Sequence, residues 1–274
     1  MRRGKRWGWL LVMFLAVLLL FGLDQRLSTR VYRVETDKLT APVRLAVIAD
    51  YHGCSYGPDA ADLVLAVADL CPDAVLLVGD IFDDVLPWDS SAALLRSLAE
   101  RYPCYYVTGN HEHWTKRIDE IEQIVTEAGA VVLERQCVEL VVNGQRLNLC
   151  GIPDPYAGVA TEAALQCVVE DIHQPGYTVL LAHRPELIGK YASTGRFDLV
   201  VSGHAHGGQV RIPLLINGLY APNQGIFPRY AGGLYTVEDT TMIVSRGLAR
   251  ESTSFPRIFN RPELLLIEVT PATK

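Results

Sequence analysis

The sequence predicts an α/β fold, an α+β sandwich in which two mixed β-sheets pack face to face with flanking helices, preceded by one N-terminal transmembrane helix. From residue 43 to 128, short apolar runs alternate with segments of helical spacing, and strand-like segments predominate from residue 131 onward. A β-α-β-α-β beginning followed by many strands is typical of a two-sheet sandwich with helices outside. An uncharged apolar run at residues 7–23 predicts the membrane helix.

The N-terminus has the charge pattern of a membrane anchor. Residues 1–6 carry four positive charges, and residues 7–23 carry none. That run is long enough for a bilayer-spanning helix, whereas a cleaved signal peptide has a shorter apolar region and small residues at its cleavage site. Small residues are scarce at 21–24, which favours an anchor. Because basic residues stay in the cytoplasm, we expect a single-pass cell-membrane protein with its N-terminus cytoplasmic and its domain outside.

Residues 24–42 are mixed and polar, which predicts a tether between the anchor and one domain at residues 43–274. Uninterrupted apolar runs suit strands that are buried on both faces. Segments with apolar residues on one helical face suit the helices between them. The first half of the domain is therefore predicted to contain strands at 44–49, 74–78 and 104–108, and helices at 58–70, 90–100 and 118–128.

The second half of the domain is predicted to consist mainly of strands. The pair Asn143-Gly144 is a strong signal for a tight hairpin turn. No internal repeat or linker divides the segment, so we expect one domain. The predicted strands are 131–133, 138–142, 145–150, 177–182, 199–202, 209–212, 233–237, 242–245 and 264–269.

Charge and cysteine content limit the partners. The chain carries 25 Lys and Arg against 31 Asp and Glu, and four of the cations lie within residues 1–6. The acidic remainder argues against a long nucleic acid as partner, but not against a small phosphate ester, because bound cations set the field at a metal site.

None of the six cysteines forms a C-x-x-C pair, which excludes zinc-finger spacing. An exported domain is compatible with one or two disulfides, whose pairing the spacing leaves open, and oligomeric state is not indicated.

Five short groups of metal-ligating residue types each follow a predicted strand. Loops at the carboxyl ends of such strands can converge on one point. Burying so many polar groups unpaired would cost several kcal/mol each, so we expect them to bind metal. The groups are Asp50-Tyr51-His52, Gly79-Asp80-Ile81-Phe82-Asp83, Gly109-Asn110-His111-Glu112, Ala182-His183-Arg184 and Gly203-His204-Ala205-His206-Gly207.

The donor types indicate which metals the groups would bind. Mixed nitrogen and oxygen ligands suit Mn, Fe, Zn or Co better than Ca or Mg. The carboxylate of Asp80 has two oxygens and can bridge two cations. Two cations about 3.5–4 Å apart can clamp a phosphoryl group and activate a water. We therefore expect two divalent metal ions, with manganese favoured, and a phosphate-ester substrate.

The ordered set D-x-H, G-D-x-x-D, G-N-H-E, H and G-H-x-H resembles the calcineurin-like metallophosphoesterase superfamily over about residues 43–206. Residues 203–213 and the late Arg261-Pro262-Glu263 are similar to its bacterial membrane-anchored branch. Each motif is weak by itself, but five in one order are specific. The resemblance implies the sandwich fold and an enzyme that hydrolyses phosphate ester bonds.

The resemblance also implies a role for each motif residue. His111 would protonate the leaving oxygen as general acid, and Asp83 would orient its imidazole and favour the charged form. A metal-bridging hydroxide would attack phosphorus in line with the leaving group. Asp50, His52, Asp80 and His206 would surround one metal, and Asp80, Asn110, His183 and His204 would hold the other, with Asp80 bridging.

The membrane anchor narrows the expected substrate. It favours a phosphodiester or pyrophosphate of the lipid or envelope, a lipid-linked substrate included, and membrane-anchored relatives in the family include enzymes that act on lipid head groups. Two alternatives stay open, namely a phosphomonoesterase and a metal-binding scaffold without catalysis. All seven ligand positions and His111 carry competent side chains, which argues against the scaffold.

Overall fold

A computed structural model describes residues 9, 12–13, 20–172, 174–250 and 255–272. The basic tip at residues 1–6 and most of the predicted membrane span at 7–23 lie outside these residues. Within the described part of the chain, no helix is both long and apolar enough to cross a bilayer.

Strands and helices alternate up to residue 127, and strands predominate after it, as the sequence predicts. The strands are β1 (Ser28–Thr36), β2 (Val43–Ile48), β3 (Ala74–Val78), β4 (Cys104–Val107), β5 (Val131–Val132), β6 (Gln136–Val142), β7 (Gln145–Gly151), β8 (Tyr177–Leu181), β9 (Leu199–Ser202), β10 (Tyr220–Ala221), β11 (Gly225–Ile226), β12 (Gly233–Val237), β13 (Thr240–Val244) and β14 (Glu263–Pro271). The helices are α1 (Ala61–Asp69), α2 (Asp89–Ala99), α3 (Asn110–Trp114), α4 (Ile118–Glu127), α5 (Thr161–Glu170) and α6 (Ile188–Ala192).

Two mixed sheets of six strands form the domain, and this part of the fold prediction is confirmed. The first sheet has the order β1-β14-β2-β3-β4-β5, and β2 to β5 run parallel in it. The second has the order β12-β13-β9-β8-β7-β6, with β7, β8, β9 and β13 parallel. Strands β10 and β11 form a separate two-stranded ribbon. Parallel runs in both sheets bring several strand ends to one edge, where ligand sites form.

The core consists of one apolar layer between the sheets and one layer under the helices on each side. Alternate residues of β2 show the pattern, because Leu45 and Val47 pack between the sheets while Ala46 and Ile48 pack under α1 and α2. The outer face of the second sheet is covered in the same way by α5 and α6. Helices on both outer faces explain why the central strands are apolar throughout.

Several regions differ from the sequence-based expectation. Residues 28–36, within the segment expected to be a tether, form β1, which pairs in parallel with β14 at the edge of the first sheet. Residues 209–212 do not form the predicted strand, because Val210 and Ile212 make only isolated bridges. The short helices α3 and α6, and the longer α5, were not predicted.

A disulfide joins Cys137 to Cys150. The two residues lie directly opposite each other in the antiparallel pair β6 and β7. Sequence spacing could not define this pairing, whereas the strand register does. The bond therefore links the two strands of the hairpin at the edge of the second sheet.

Candidate metal centre

The predicted metal-ligating residues lie together at one end of the two sheets. The loops after β2, β3 and β4 extend from the first sheet, and those after β8 and β9 extend from the second. Because the strands of each set are parallel, these loops meet at one edge. In chain order, the loops carry Asp50 and His52, Asp80, Asn110, His183, and His204 and His206.

The backbone at this edge is unusual. Asp50, Asp80 and His204 have φ values of 49°, 51° and 67°, and His52 and His206 also lie in the left-handed region. Asn, Asp and His are the non-glycine residues enriched in that region, yet each such conformation costs about 1–3 kcal/mol. Strain of this kind is concentrated at functional sites, so the five positive φ values mark this edge independently of residue type.

Two motif glycines are required by close packing. A Cβ at Gly109 would lie 2.2 Å from Asp80 Oδ1, and one at Gly79 would lie 2.4 Å from His183 Nδ1. Any side chain at either position would displace a candidate ligand. Glycine before Asp80 and before Asn110 therefore lets neighbouring loops approach closely enough to share a site.

The candidate ligands form two overlapping groups. Ligand atoms within each group lie within 4.8 Å of one another. The first group is Asp50, His52, Asp80 and His206, and the second is Asp80, His183 and His204. Asp80 belongs to both, at the point where a shared ligand would lie, and its Oδ2 is 3.1 Å from His183 Nε2 and 3.7 Å from His52 Nε2. This cluster is a candidate site for divalent metals.

Each of the seven predicted ligands presents a buried polar atom with no hydrogen-bond partner among the described residues. A buried group of this kind costs about 1–3 kcal/mol when it stays unpaired. Seven such atoms in one cluster fit a site whose natural partners are cations. The atoms are Asp50 Oδ2, His52 Nε2, Asp80 Oδ2, Asn110 Oδ1, His183 Nε2, His204 Nδ1 and His206 Nδ1.

Burial and neighbouring charge give the ionisable groups of the cluster different protonation states. Burial by itself would lower the pKa of His183, but the carboxylates of Asp80 and Asp50 raise it to about 10, so this imidazole would have to release a proton to bind a metal. Burial, reinforced by His183 and Arg184, holds the pKa of His204 well below its ordinary value, so that imidazole is neutral. Burial and the nearby His52 lower the pKa of His206 in the same way. Burial alone would raise the pKa of Asp80, but His183 and His52 hold it well below the usual range. A neutral imidazole and an ionised carboxylate are the forms that bind metal.

Hydrogen bonds behind the ligands fix which ring nitrogen faces the site. His183 Nδ1 donates to the Val78 carbonyl at 2.8 Å, and His52 Nδ1 donates to Asp83 Oδ2 at 2.8 Å. Both rings therefore turn Nε2 toward Asp80. Such contacts fix the tautomer and raise the basicity of a metal-bound imidazole.

Two carboxylates lie near His111, namely the expected Asp83 and its neighbour Asp84. The nearest carboxylate to His111 Nδ1 is Asp84 Oδ1 at 2.6 Å, whereas Asp83 Oδ2 is 3.5 Å away. Asp83 instead makes its short contact with His52. Sequence reasoning missed Asp84, although two consecutive carboxylates on a loop point in different directions and can serve two histidines.

Glu112 is a second residue whose role the sequence did not reveal. Its buried carboxylate accepts hydrogen bonds from the backbone N–H groups of Gly109, Asp80, Ile81 and Phe82. Burial, and then the charge of Asp80, raise the pKa of Glu112 to about 7. The side chain ties the start of α3 to the loop after β3, so it positions Asp80 without contacting the cluster of ligand atoms.

Arg184 forms a buried polar network beside His204. Its guanidinium donates two hydrogen bonds to the Asp154 carboxylate and one to Asn223 Oδ1. Arg184 Nη1 and Asn223 Oδ1 both lie 2.9 Å from His204 Nε2. These contacts engage Nε2, whereas His204 Nδ1 has no hydrogen-bond partner among the described residues and is the nitrogen that faces the cluster. A signal for Arg184 exists in the sequence, because it directly follows the candidate ligand His183.

Comparison with known proteins identifies the family. The model of the calcineurin-like phosphoesterase family matches residues 43–208. The chain belongs to that family. The predicted recognition and the prediction of a phosphate-ester hydrolase are confirmed, and the chain is a metallophosphoesterase.

Two relatives and one solved structure of the same fold illustrate the likeness. Phosphodiesterase YaeI of Escherichia coli strain K12 is 29% identical over 240 residues, which are 84% of this chain and 83% of that protein. A Bos taurus transmembrane protein with a metallophosphoesterase domain is 30% identical over 247 residues, which are 84% of this chain and 54% of that protein. This chain thus spans about half of the bovine relative. The Haemophilus influenzae NAD nucleotidase shares the fold, with a TM-score of 0.54 at 14% identity over 76% of this chain and 46% of that one.

Proposed function

We propose that this metallophosphoesterase is a dinuclear metal-dependent phosphohydrolase that acts on a phosphodiester or pyrophosphate. The observation that carries the proposal is the set of seven buried ligand atoms without hydrogen-bond partners among the described residues. Three of the ligand-bearing loops come from the first sheet and two from the second, and Asp80 belongs to both groups. One cation would leave several of these atoms unpaired, whereas two would account for them.

The ligand groups divide between two cations. Bound divalent ions would supply Lewis acidity to the phosphoryl group and lower the pKa of the attacking water. In this proposal Asp50, His52, Asp80 and His206 hold one ion, and Asp80, Asn110, His183 and His204 hold the other. Manganese is the favoured metal, with Fe, Zn and Co as alternatives of similar ligand preference.

His111 is the proposed general acid. Its side chain is 24% exposed at the mouth of the site, and its ring centroid lies 4.4 Å from that of His52. The short contact of Nδ1 with Asp84 leaves Nε2 as the nitrogen that gives a proton to the leaving oxygen. A positioned acid of this kind contributes about 10²–10⁴-fold to the rate.

A phosphodiester or pyrophosphate is favoured over a monoester by the surface beside His111. The Trp114 ring centroid lies 4.5 Å from that of His111, and Tyr156 packs edge-on against Trp114 at 5.6 Å. Both aromatic rings are exposed, so they offer an apolar wall for a second substituent on phosphorus. The name of the related Escherichia coli protein, a phosphodiesterase, agrees with this preference.

We also propose that the domain is held at the outer face of the cell membrane. The basic residues 1–6 followed by the uncharged residues 7–23 support an anchor with a cytoplasmic N-terminus. The disulfide between Cys137 and Cys150 supports an oxidising compartment, because structural disulfides persist mainly outside the cytoplasm.

The test compares two chromogenic substrates with the full chain in detergent. Bis-p-nitrophenyl phosphate and p-nitrophenyl phosphate are assayed with Mn²⁺ and with chelator. The expected result is chelator-sensitive turnover that is faster on the diester. A faster monoester reaction would support the phosphomonoesterase alternative, and two bound ions without turnover of either substrate would support the scaffold.

The variant His111→Ala tests the acid. We expect turnover to fall about 10²-fold or more with metal content unchanged. His113→Ala is the matched control, since it removes the same side chain from the same helix, where Nε2 contacts Thr108. Loss of metal from His111→Ala would mean that His111 is a ligand, and unchanged turnover would remove it from the mechanism.

A further inference from the structure

One surface of the described domain is unusually apolar. The 17 residues from Ile212 to Pro228 contain no charged side chain and are bounded by Arg211 and Arg229. Soluble proteins rarely leave such an apolar segment open to water. We call residues 212–227 the apolar loop. Its exposed apolar side chains are Ile212, Leu214, Leu215, Leu219, Tyr220, Ile226 and Phe227, among which Leu214 is fully exposed and Leu215 is 82% exposed.

The apolar loop lies beside the end of the predicted membrane anchor. Phe259 N donates to the Gly22 carbonyl at 2.6 Å, and the Phe259 ring packs against Gly22. On its other side, Phe259 lines a surface cavity together with Leu214 and Leu215. Phe21, which precedes Gly22 in the chain, is also exposed. A bilayer that receives the anchor would therefore also meet the loop.

The apolar loop is also joined to the metal centre. Leu219 N donates to the Gly208 carbonyl at 2.9 Å, just after the candidate ligand His206. Asn223, within the loop, places Oδ1 2.9 Å from His204 Nε2. The loop thus borders two candidate ligands. A partner that covers the loop would therefore lie next to the metal centre.

The first strand, β1, begins at the end of the molecule that carries the candidate metal ligands. Ser28, at the start of β1, donates through its backbone N–H to the Pro262 carbonyl, and Glu263 N donates to the Gly247 carbonyl. Gly247 packs directly against the carboxylate of Asp50. The anchor therefore joins the domain a few residues from a candidate ligand, which would turn the metal centre toward the membrane.

We propose that the apolar loop inserts into the lipid bilayer and brings the metal centre to phosphate esters at the membrane surface. The exposed Arg229 and the half-buried Arg211, at the ends of the uncharged stretch, are placed to meet anionic head groups. Apolar side chains that enter the interface and basic residues at its edge are the pattern of interfacial membrane binding. The substrate class that follows is a phosphodiester or pyrophosphate with a lipid tail, and this part rests on the proposed function.

The first experiment measures insertion without using activity. Full-length Leu215→Trp is reconstituted in vesicles of phosphatidylcholine and phosphatidylglycerol with or without brominated acyl chains, which quench tryptophan on contact. Val141→Trp is the matched control, because Val141 is exposed on β6 beside the turn whose Asn143 bonds to Pro42, at the opposite end of the sheets. Of the four native tryptophans, Trp7 and Trp9 report on the anchor, whereas Trp88 and Trp114 belong to the domain and contribute the same background to both variants.

Insertion predicts bromine quenching of the emission that Leu215→Trp adds, and no quenching of the emission that Val141→Trp adds. Equal quenching in both variants, or none in either, overturns the proposal. Blue-shifted but unquenched emission from Leu215→Trp also overturns it, because the loop would then be covered by protein, such as a second copy. If bromine quenches none of the native tryptophan emission, the anchor does not enter the bilayer. That result also overturns the proposal.

The second experiment tests access to lipid substrates. Hexadecyl and ethyl p-nitrophenyl phosphate share one reacting centre, but only the first resides in vesicles. The double variant Leu214→Ser/Leu215→Ser is expected to lose at least fivefold on the hexadecyl ester and to match the unaltered chain on the ethyl ester. An unchanged ratio of the two rates overturns the lipid assignment. Absence of turnover by the unaltered chain on either ester would refute the proposed function, while the quenching experiment still decides the docking.

Discussion

At the scale of single residues, Asp80 offers the most direct test of the shared ligand. Its φ of 51° is left-handed, a conformation that Asn also tolerates, so Asp80→Asn should keep the loop while removing a negative charge. We expect both ions to bind more weakly, because Asp80 belongs to both ligand groups. Metal content per chain, measured by mass spectrometry after dialysis, should fall from two toward zero. Loss of one ion with full retention of the other would contradict the bridging role.

The carboxylates Asp83 and Asp84 should have separable effects. Asp83→Asn weakens the contact that orients His52, so metal affinity should fall about 10–100-fold, as is usual when a partner of a ligating histidine is lost. Asp84→Asn removes the partner of His111, so kcat should fall while metal content stays unchanged. The measurement is a metal titration of each variant together with kcat at saturating Mn²⁺.

The two variants serve as controls for each other, since they make the same substitution at adjacent positions. If Asp83→Asn lowers kcat with normal metal affinity while Asp84→Asn has no effect, Asp83 and not Asp84 orients His111, as the sequence predicts. The sequence could predict the ligand types, because each follows an apolar strand. It could not predict which of two consecutive carboxylates faces which histidine, because that depends on the path of a whole loop.

At the scale of elements, the buried central strands were predicted well, whereas the exposed edge strand β1 was missed. Strands β3, β9 and β12 match their predicted bounds, and the first two are continuous apolar runs that are recognisable locally. Strand β1 was missed because it is a mostly exposed edge strand. Its hydrogen bonds go to β14, more than 200 residues away, so no local pattern records its partner.

The β6 and β7 hairpin carries a prediction of its own. Cys137 and Cys150 are separated by 13 residues, and closing a loop of about this length stabilises a protein by about 3 kcal/mol in the chain-entropy account. The double variant Cys137→Ala/Cys150→Ala should therefore melt about 6–12 °C lower. Calorimetry checks the shift, with the free and exposed Cys71 changed to Ala as control. Equal melting temperatures in all three proteins would mean that the bond adds no stability.

At the scale of the whole molecule, the fold class could be predicted but the order of strands could not. The alternation of apolar runs and helices indicates layers, and the layers are those observed. The position of β14 between β1 and β2 joins the two ends of the domain, and this pairing is set by long-range packing. The site depends on the same global arrangement, since ligands from both sheets must meet.

That arrangement would make the proposed metal centre a clamp between the sheets. Asp50, Asp80 and Asn110 extend from the first sheet, while His183, His204 and His206 extend from the second. Ions bound across this junction stabilise only the folded state, by about 2.7 kcal/mol each at a hundredfold excess over Kd. Removing both should lower the melting temperature by about 10 °C or more, and Mn²⁺ should restore it.

The clamp predicts how much a chelator lowers the melting temperature of two histidine variants. His206→Ala removes a ligand contributed by the second sheet, whereas His113→Ala removes a histidine outside both ligand groups. Chelator should therefore lower the melting temperature of His113→Ala as much as that of the unaltered chain, and that of His206→Ala by less. Melting that is insensitive to chelator, although mass spectrometry records loss of both ions, would mean that interlayer packing alone holds the sheets together. In that case the ions would serve the reaction without stabilising the fold.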